Sequence, residues 1–531
     1  MSEQATATRP PDDDESILHR LGYAQVLYRE MGGFSNFAIS FTIISILAGC
    51  LTSYSIAFNQ GGPVAITWGW LIVGLFCTLV ALALGEIAST YPTAGGLYFW
   101  ASKLGSPAWG WFTGWFNLVG QIAVTAAIAY GCAFFMTSLL NLLWGYPNSF
   151  GWIYFLYGII LLGAALINMF RVRITALLNG ISAWWHMVGV VLIVFILAIV
   201  PDHHRSISYV FGQTVNNSGF GGHSWLHGVF IYVFLTGLLM AQYTITGYDA
   251  SAHMSEETRQ ASRAAAWGIV MSVVVSVIFG FLLLVAVTFA IPSAKGPADT
   301  GLFIVTSIWE SSMGRKWAEF LLFIAVVAQC FCTIASVTSA SRMMFAFSRD
   351  GAVPGHRLWR RVSRRERVPI YTVAAICLLA FLLVMPSLWF GYTGYVVATS
   401  IAVIGLYIAF VLPIILRLRA GDRFEHGAWS LGRHYVWIDW LAILWIVFIS
   451  IVFFAPFAYA GIPWNKGFDW NLFNYTLVTV GSAFLLFAGW YALSAHEWFK
   501  GPVREGTEEE LERIEASFEE PGPPQHQPAG A

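Results

Sequence analysis

Twelve stretches of about twenty apolar residues run along this chain, each the length an α-helix needs to cross a hydrocarbon core of roughly 30 Å. They fall at approximately 33–58, 64–90, 94–139, 150–170, 174–200, 226–257, 263–291, 317–348, 369–386, 391–417, 436–459 and 472–494. Inside a bilayer every backbone N–H and C=O must be paired within the protein, so runs of this kind fold as spanning helices. Over 531 residues, 57% are hydrophobic and only 11% charged, which excludes an ordinary soluble domain. The expectation is an all-α polytopic membrane protein with twelve transmembrane helices. The third stretch is too long for one crossing. Residues 94–104 are expected to form a short helix leading into a span that starts near Ala108.

The distribution of charge sets the orientation. With the N-terminus inside, 23 of the 28 Lys and Arg residues fall on the cytoplasmic side, and Arg205, Lys295, Arg315, Lys316 and Lys466 remain outside. Both termini are therefore expected to be cytoplasmic, with the chain in the cell (plasma) membrane. The basic run 357–367 reads as a positive-inside loop, with a lipid-headgroup or regulatory site as the alternative. A net charge of −1 gives no reason to expect nucleic acid as a partner. The start, MSEQATATRPPDDDESIL, lacks the basic end and short apolar core of a cleavable signal, so the first span is expected to act as the insertion signal. Segments 1–32 and 495–531 are read as cytoplasmic, and EGTEEELERIEASFEE as a solvated helix without chemistry. The six cysteines all lie in apolar runs and read as buried thiols.

Two of the twelve stretches are interrupted near mid-membrane depth. In the sixth, an apolar run through Tyr243-Thr244-Ile245-Thr246 meets Gly247, Tyr248 and the carboxylate of Asp249. Glycine weakens a helix, and ionisable groups at this depth are costly and usually functional. The bland alternative is a glycine packing contact with an Asp at a helix end. The first stretch carries Ser40, Thr42 and Ser45 and then Ala48-Gly49, about halfway across. Gly-interrupted helices at corresponding positions of two halves point to an inverted-repeat transporter, with the substrate held where the breaks face each other.

Three motifs carry a family likeness: GEIASTYPTAGGLYFWASKLGSPAWGWFTGWFNL, TGYDASAHMSEETRQASRAAAWG and SASRMMFAFSRDGAVPG. They resemble the amino acid–polyamine–organocation (APC) superfamily, and within it the amino acid/choline transporter branch of GABA permeases and choline carriers. The likeness runs in order over about residues 20 to 495. It implies the leucine-transporter fold, with inverted repeats at 33–200 and 226–417 and two additional helices at 436–494. It also implies a substrate whose carboxylate meets backbone N–H groups at a first break, Ser45-Ile46-Leu47-Ala48-Gly49. The amine would meet carbonyls freed there and at a second break, Tyr243 to Gly247. Helix N-termini suit anions and freed carbonyls suit an ammonium, so the chemistry is sensible.

Further candidates surround these breaks. By resemblance, His186 falls at or next to the position where proton-coupled relatives carry a lysine in place of a sodium ion. An imidazole titrates near neutral pH and suits that role, and the alternative is a neutral histidine bonded in the core. Asp249, His253 and Glu257 recur every four residues, as a proton path or inner gate; Glu257 is placed at an ion-paired, solvated edge with Glu256, Arg259 and Arg263. Tyr243, Thr246, Tyr248, Asn117 and Gln121 are candidate pocket residues, or simple packing. Thr333, Ser336 and Ser339 are candidate sodium ligands, or packing hydroxyls. Glu86 is expected to pair with a cytoplasmic Arg or Ser.

The leading expectation is secondary active transport, by alternating access, of an amino acid or related small amine such as GABA, coupled to protons or by exchange. A choline- or ethanolamine-type carrier and a sodium-coupled symporter remain alternatives. A membrane-embedded enzyme finds no support: the sequence has no nucleophile motif, no H-E-x-x-H metal site and no P-loop. No cofactor is expected. A sensor would carry an appended signalling domain.

Overall fold

A computed structural model describes residues 14–170, 172–222, 228–292, 297, 301–364 and 366–519. Residues 1–13 and 520–531 lie outside these, as do Arg9, Arg171, Lys295 and Arg365 of the basic residues that set the orientation. The described residues are mostly helical. Among the described residues eleven helices are long and apolar enough to cross a membrane, from Gly33–Thr52 to Thr476–Trp498. The sixth apolar stretch is the exception. It runs as Gly228–Gly237 and Leu239–Thr244, unwinds, and resumes as Ala250–His253.

Local signals explain several boundaries. Pro63 and Pro107 open their helices at positions where the missing N–H has no helical partner in any case. Gly145, at φ 75°, closes Pro107–Trp144 in the left-handed region. The short helix Leu97–Leu104 precedes Pro107–Trp144, as expected from the length of the third stretch. In the most apolar window of Pro107–Trp144, 89% of residues are buried, against 17% in Thr476–Trp498. The third helix is thus the centre of the bundle, flanked by Arg315–Arg349 and Tyr392–Ala420, and the last helix lies at its periphery.

Both described ends meet on one face, called here the terminal face. His19 Nε2 lies 2.7 Å from Glu515, the Gln25 N–H donates to the same carboxylate at 2.6 Å, and the Ala24 N–H donates to Glu505 at 2.9 Å. Asp14 accepts from the first N–H groups of Ala261–Phe289, at 2.6 Å from Gln260 and 2.9 Å from Ala261. Glu86 accepts from Arg417 Nε and Ser430 Oγ, both at 2.9 Å, in line with its expected Arg or Ser partner.

Two expectations are corrected here. The acidic helix Glu508–Glu519 is not merely solvated, because Leu511 is buried in a cluster with Ala24, Leu27 and Phe345. Glu257 is not at a solvated edge. It is buried and receives Arg342 Nε at 2.8 Å, while Glu256 receives both Nη atoms of Arg349 at 2.9 and 3.1 Å. Neighbours in sequence suggested Arg259 and Arg263; the actual partners come from a helix some 85–93 residues away.

Candidate functional site

The first break is one residue wide. Gly33–Ile44 stops at Ser45, whose φ of 35° and ψ of 78° are left-handed, and Ile46–Thr52 is helical again. Ala48 and Gly49, expected in the break, lie in that second helix, and their N–H groups donate to the Ser45 carbonyl at 2.7 and 2.9 Å. A non-glycine residue in this region costs about 1–2 kcal/mol, so something must hold it. Ser45 Oγ lies 2.7 Å from His186 Nε2, and His186 Nδ1 lies 2.8 Å from the Ser182 carbonyl. A carbonyl only accepts, so Nδ1 carries the proton, and Nε2 of the neutral ring accepts from the Ser45 hydroxyl. His186 is fully buried, with Phe41 set edge-on at 6.0 Å. The Ile43 carbonyl, released by the break, accepts from Cys332 Sγ at 3.3 Å.

The second break is wider. Leu239–Thr244 ends as Ile245 leaves helical geometry, and Gly247 adopts φ 90° before Ala250–His253 begins. The freed Ile245 carbonyl accepts from the Tyr407 hydroxyl at 3.2 Å, and the Tyr248 carbonyl from Ser40 Oγ at 2.8 Å.

The two breaks seat on each other. A Cβ added to Gly49 would lie 2.5–2.8 Å from three side-chain atoms of Thr244, and one on Gly247 would lie 2.5 Å from Ile43 Cγ2. Between them is a small cavity with room for about one water-sized sphere, about 10 Å³. The first segment lines it with Ile43, Ile44, Ala48, Gly49 and Thr52, the third with Val124 and Ile128, and the sixth with Tyr243, Thr244 and Thr246. No lining side chain is charged.

Of the expected pocket residues, Ala48, Gly49, Tyr243 and Thr246 therefore line the cavity. Ser45, Ile46 and Leu47 do not. Tyr248 turns away, its hydroxyl 3.4 Å from Tyr407 and its ring packed on Phe410. Asn117 and Gln121 also sit elsewhere, because their face of the third helix meets Asp249 and His253. Gln121 Nε2 donates to Asp249 Oδ2 at 2.9 Å, and Asn117 Nδ2 lies 3.4 Å from His253 Nε2. His253 Nδ1 donates to the Ala94 carbonyl at 2.9 Å, which leaves Nε2 facing Asp249 Oδ2 at 3.3 Å. Both side chains are fully buried, so carboxylate and ring sit in one polar cluster with Asn117 and Gln121. Asp249 Oδ1 has no side-chain or backbone donor.

The three hydroxyls of the eighth segment go separate ways. Thr333 donates to the Gln329 carbonyl of its own helix at 3.0 Å, Ser336 bonds Thr125 at 2.8 Å, and Ser339 Oγ has no partner. Sequence reasoning missed Ile43, Ile44, Thr52, Val124 and Ile128 in the cavity, named Thr244 only as part of the second break, and missed Cys332 and Tyr407 at the freed carbonyls. Of these only Tyr407 carried a signal, a hydroxyl in the middle of the tenth apolar stretch.

The comparisons agree with this architecture. The amino acid permease family model matches residues 31–484. The amino-acid permease BAT1 of Arabidopsis thaliana is 37% identical over 512 residues, covering 93% of this chain and 96% of its own length. Its homolog in Oryza sativa subsp. japonica is 38% identical, with the same coverage, and amino-acid permease 2 of Neurospora crassa is 25% identical over 94% of this chain and 92% of its own. Such relatives are permeases, not enzymes. The chain belongs to the amino acid permease family.

Proposed function

We propose that this protein is a secondary active transporter of amino acids that works by alternating access. Its substrate would bind between the breaks of the first and sixth helices. The reading rests on the mutual seating of those breaks around a cavity to which both contribute. A cavity of this size admits no amino acid, so loading requires the breaks to part, which is the movement alternating access needs. The uncharged lining suits a zwitterion better than a choline-like cation, which would call for a carboxylate partner. The hydroxyls of Thr52, Thr244 and Thr246 beside aliphatic walls favour a small substrate such as GABA.

In this reading the chain has the leucine-transporter fold, with inverted repeats at 33–200 and 226–417 and two further helices at 436–494. The terminal face is cytoplasmic and the membrane is the plasma membrane. Coupling is to protons, and a buried carboxylate and imidazole, Asp249 and His253, stand 3.3 Å apart beside the second break as the groups that would carry them. His186 then acts through Ser45. Protonation at Nε2 turns that nitrogen from acceptor to donor, so the Ser45 hydroxyl must find a new acceptor, and the first break feels the charge. The sodium alternative draws on Thr333, Ser336 and Ser339.

Proteoliposomes decide. Uptake of labelled amino acids driven by an inward proton gradient, with GABA among the best substrates, is the expected result. Uptake of choline without any amino acid would remove the proposed substrate class, and a strict sodium requirement at fixed pH would remove the proton coupling.

A further inference from the structure

The terminal face holds a second cavity, of about 1000 Å³, that amino acid transport does not use. It lies where the loop after the eighth helix meets the strand of chain through Val26 and the C-terminal helix Glu508–Glu519. Arg357, Arg360, Arg361 and Arg364 line it, all four exposed, and none meets a carboxylate among the described residues. Arg349 lies deeper, buried and committed to Glu256. Glu505 supplies the single carboxylate, and it already accepts from the Ala24 N–H.

We propose that this cavity binds a phosphomonoester anion, a phosphate group that carries more than one negative charge. A positive-inside loop explains an excess of arginine on this face, but such a loop would present its charges outward and apart. Here the guanidiniums line one concavity, where their fields add. One charge of a phosphodiester leaves most of that field unbalanced. A phosphomonoester brings about −1.5 to −2 and three acceptor oxygens, and the planar guanidinium meets phosphate through two parallel bonds.

The other wall is apolar: Ile370 and Tyr371 on one side, Ile514 and Phe518 on the other. Ile370–Leu383 goes on to expose Leu378, Leu379 and Leu382, so the cavity opens beside a lipid-facing helix. That geometry fits a lipid headgroup with its acyl chains running down the helix, and a soluble inositol phosphate shares the chemistry. The site also has a route to the transport machinery. Its deepest arginine, Arg349, holds Glu256, which in turn accepts from the Ala94 N–H, next to the carbonyl bonded by His253.

The test uses purified full-length protein in detergent, titrated with dioctanoyl phosphatidic acid, dioctanoyl phosphatidylserine and inositol hexakisphosphate. Saturable binding of phosphatidic acid, about tenfold or more tighter than phosphatidylserine, is expected, and the double variant R360Q/R361Q should weaken it by about tenfold. The exposed Arg433, on the same face outside the cavity, serves as control: R433Q should bind as the parent does. Hexakisphosphate binding as tightly as the lipid would identify a soluble ligand, and weaker binding would identify the membrane as the source. Equal affinity for phosphatidylserine and phosphatidic acid would overturn the proposal. So would a loss in R433Q as large as in R360Q/R361Q, since both results describe a general surface charge.

Discussion

The two helix breaks solve one problem by different means. At Gly247 the left-handed φ of 90° falls on the one residue that adopts it without strain, and the absent side chain also makes room for Ile43. At the first break the left-handed residue is a serine, and the nearby Gly49 serves only to let Thr244 approach. Conformational freedom and close approach coincide in one residue of the sixth helix and are divided between two in the first. The strain at Ser45, about 1–2 kcal/mol, is of the same size as the net worth of one hydrogen bond, about 0.5–1.5 kcal/mol. The first break is therefore poised on its His186 contact, whereas the left-handed residue of the second needs no such support.

The largest expected effects separate these roles directly. Gly247→Ala and Gly49→Ala should each lower uptake by about a hundredfold or more, as each Cβ meets an atom well inside contact distance. Thr244→Gly should recover part of the loss in the Gly49 variant, because the crowding is relieved although a hydroxyl of the cavity lining goes with it. Ile43→Ala should not recover the Gly247 variant, because the backbone strain remains. Uptake in proteoliposomes of the four single and double variants is the measurement, and equal rescue at both sites would erase the distinction.

Next come the acidic groups that follow the second break. Glu257→Gln leaves Arg342 buried without its charge partner, at a cost of about 3–5 kcal/mol, and should reduce the yield of folded protein. Asp249→Asn should spare the yield and impair uptake, because the amide keeps the shape but removes the carboxylate that faces His253 and Gln121. Size-exclusion profiles beside uptake rates distinguish the two outcomes.

A smaller effect probes Ser45. Ser45→Ala keeps the strain and loses the bond, and should destabilise by about 1–2 kcal/mol. Ser45→Gly loses both and should stay within about 0.5 kcal/mol of the parent. Thermal unfolding in detergent reads the pair, and equal loss in both variants would mean that the backbone at Ser45 is not strained.

The smallest effect on uptake is expected at Asp350, which lies past the end of Arg315–Arg349 and belongs to neither break. Burial pushes its carboxyl up to about 6, against the pull of Arg349 and of hydrogen bonds from Tyr98, the Val503 N–H and Tyr23. The folded chain then holds a proton that the unfolded chain releases near pH 4. Stability should fall as pH rises from about 4 to 6 and level off above. Asp350→Asn should flatten that slope in a thermal scan and leave the effects at both breaks unchanged.

Much of the fold was legible because a bilayer forces apolar length and helical geometry to coincide. Eleven of the twelve stretches became long helices, and the sixth showed its interruption at Gly247. The site was less legible, and the reason is specific. Ala48-Gly49 looked like the first break because glycine was read as freedom, yet the strained residue was Ser45, and its support comes from His186, 141 positions away. Asn117 and Gln121 were assigned to the pocket by their polarity, although their face of the third helix meets Asp249 and His253. The partners of Glu256 and Glu257 come from a distant helix, and no local spacing announces such pairs.

The meeting of the two described ends has a consequence for the order of folding. Ala24 and Gln25 lie 481 and 490 positions from their partners Glu505 and Glu515. Val503, which donates to Asp350, reaches back 153 positions. Closing loops of that length costs entropy before any contact repays it, so these bonds form after the helices between them have assembled. The breaks can thus be in place while this face is still unlatched.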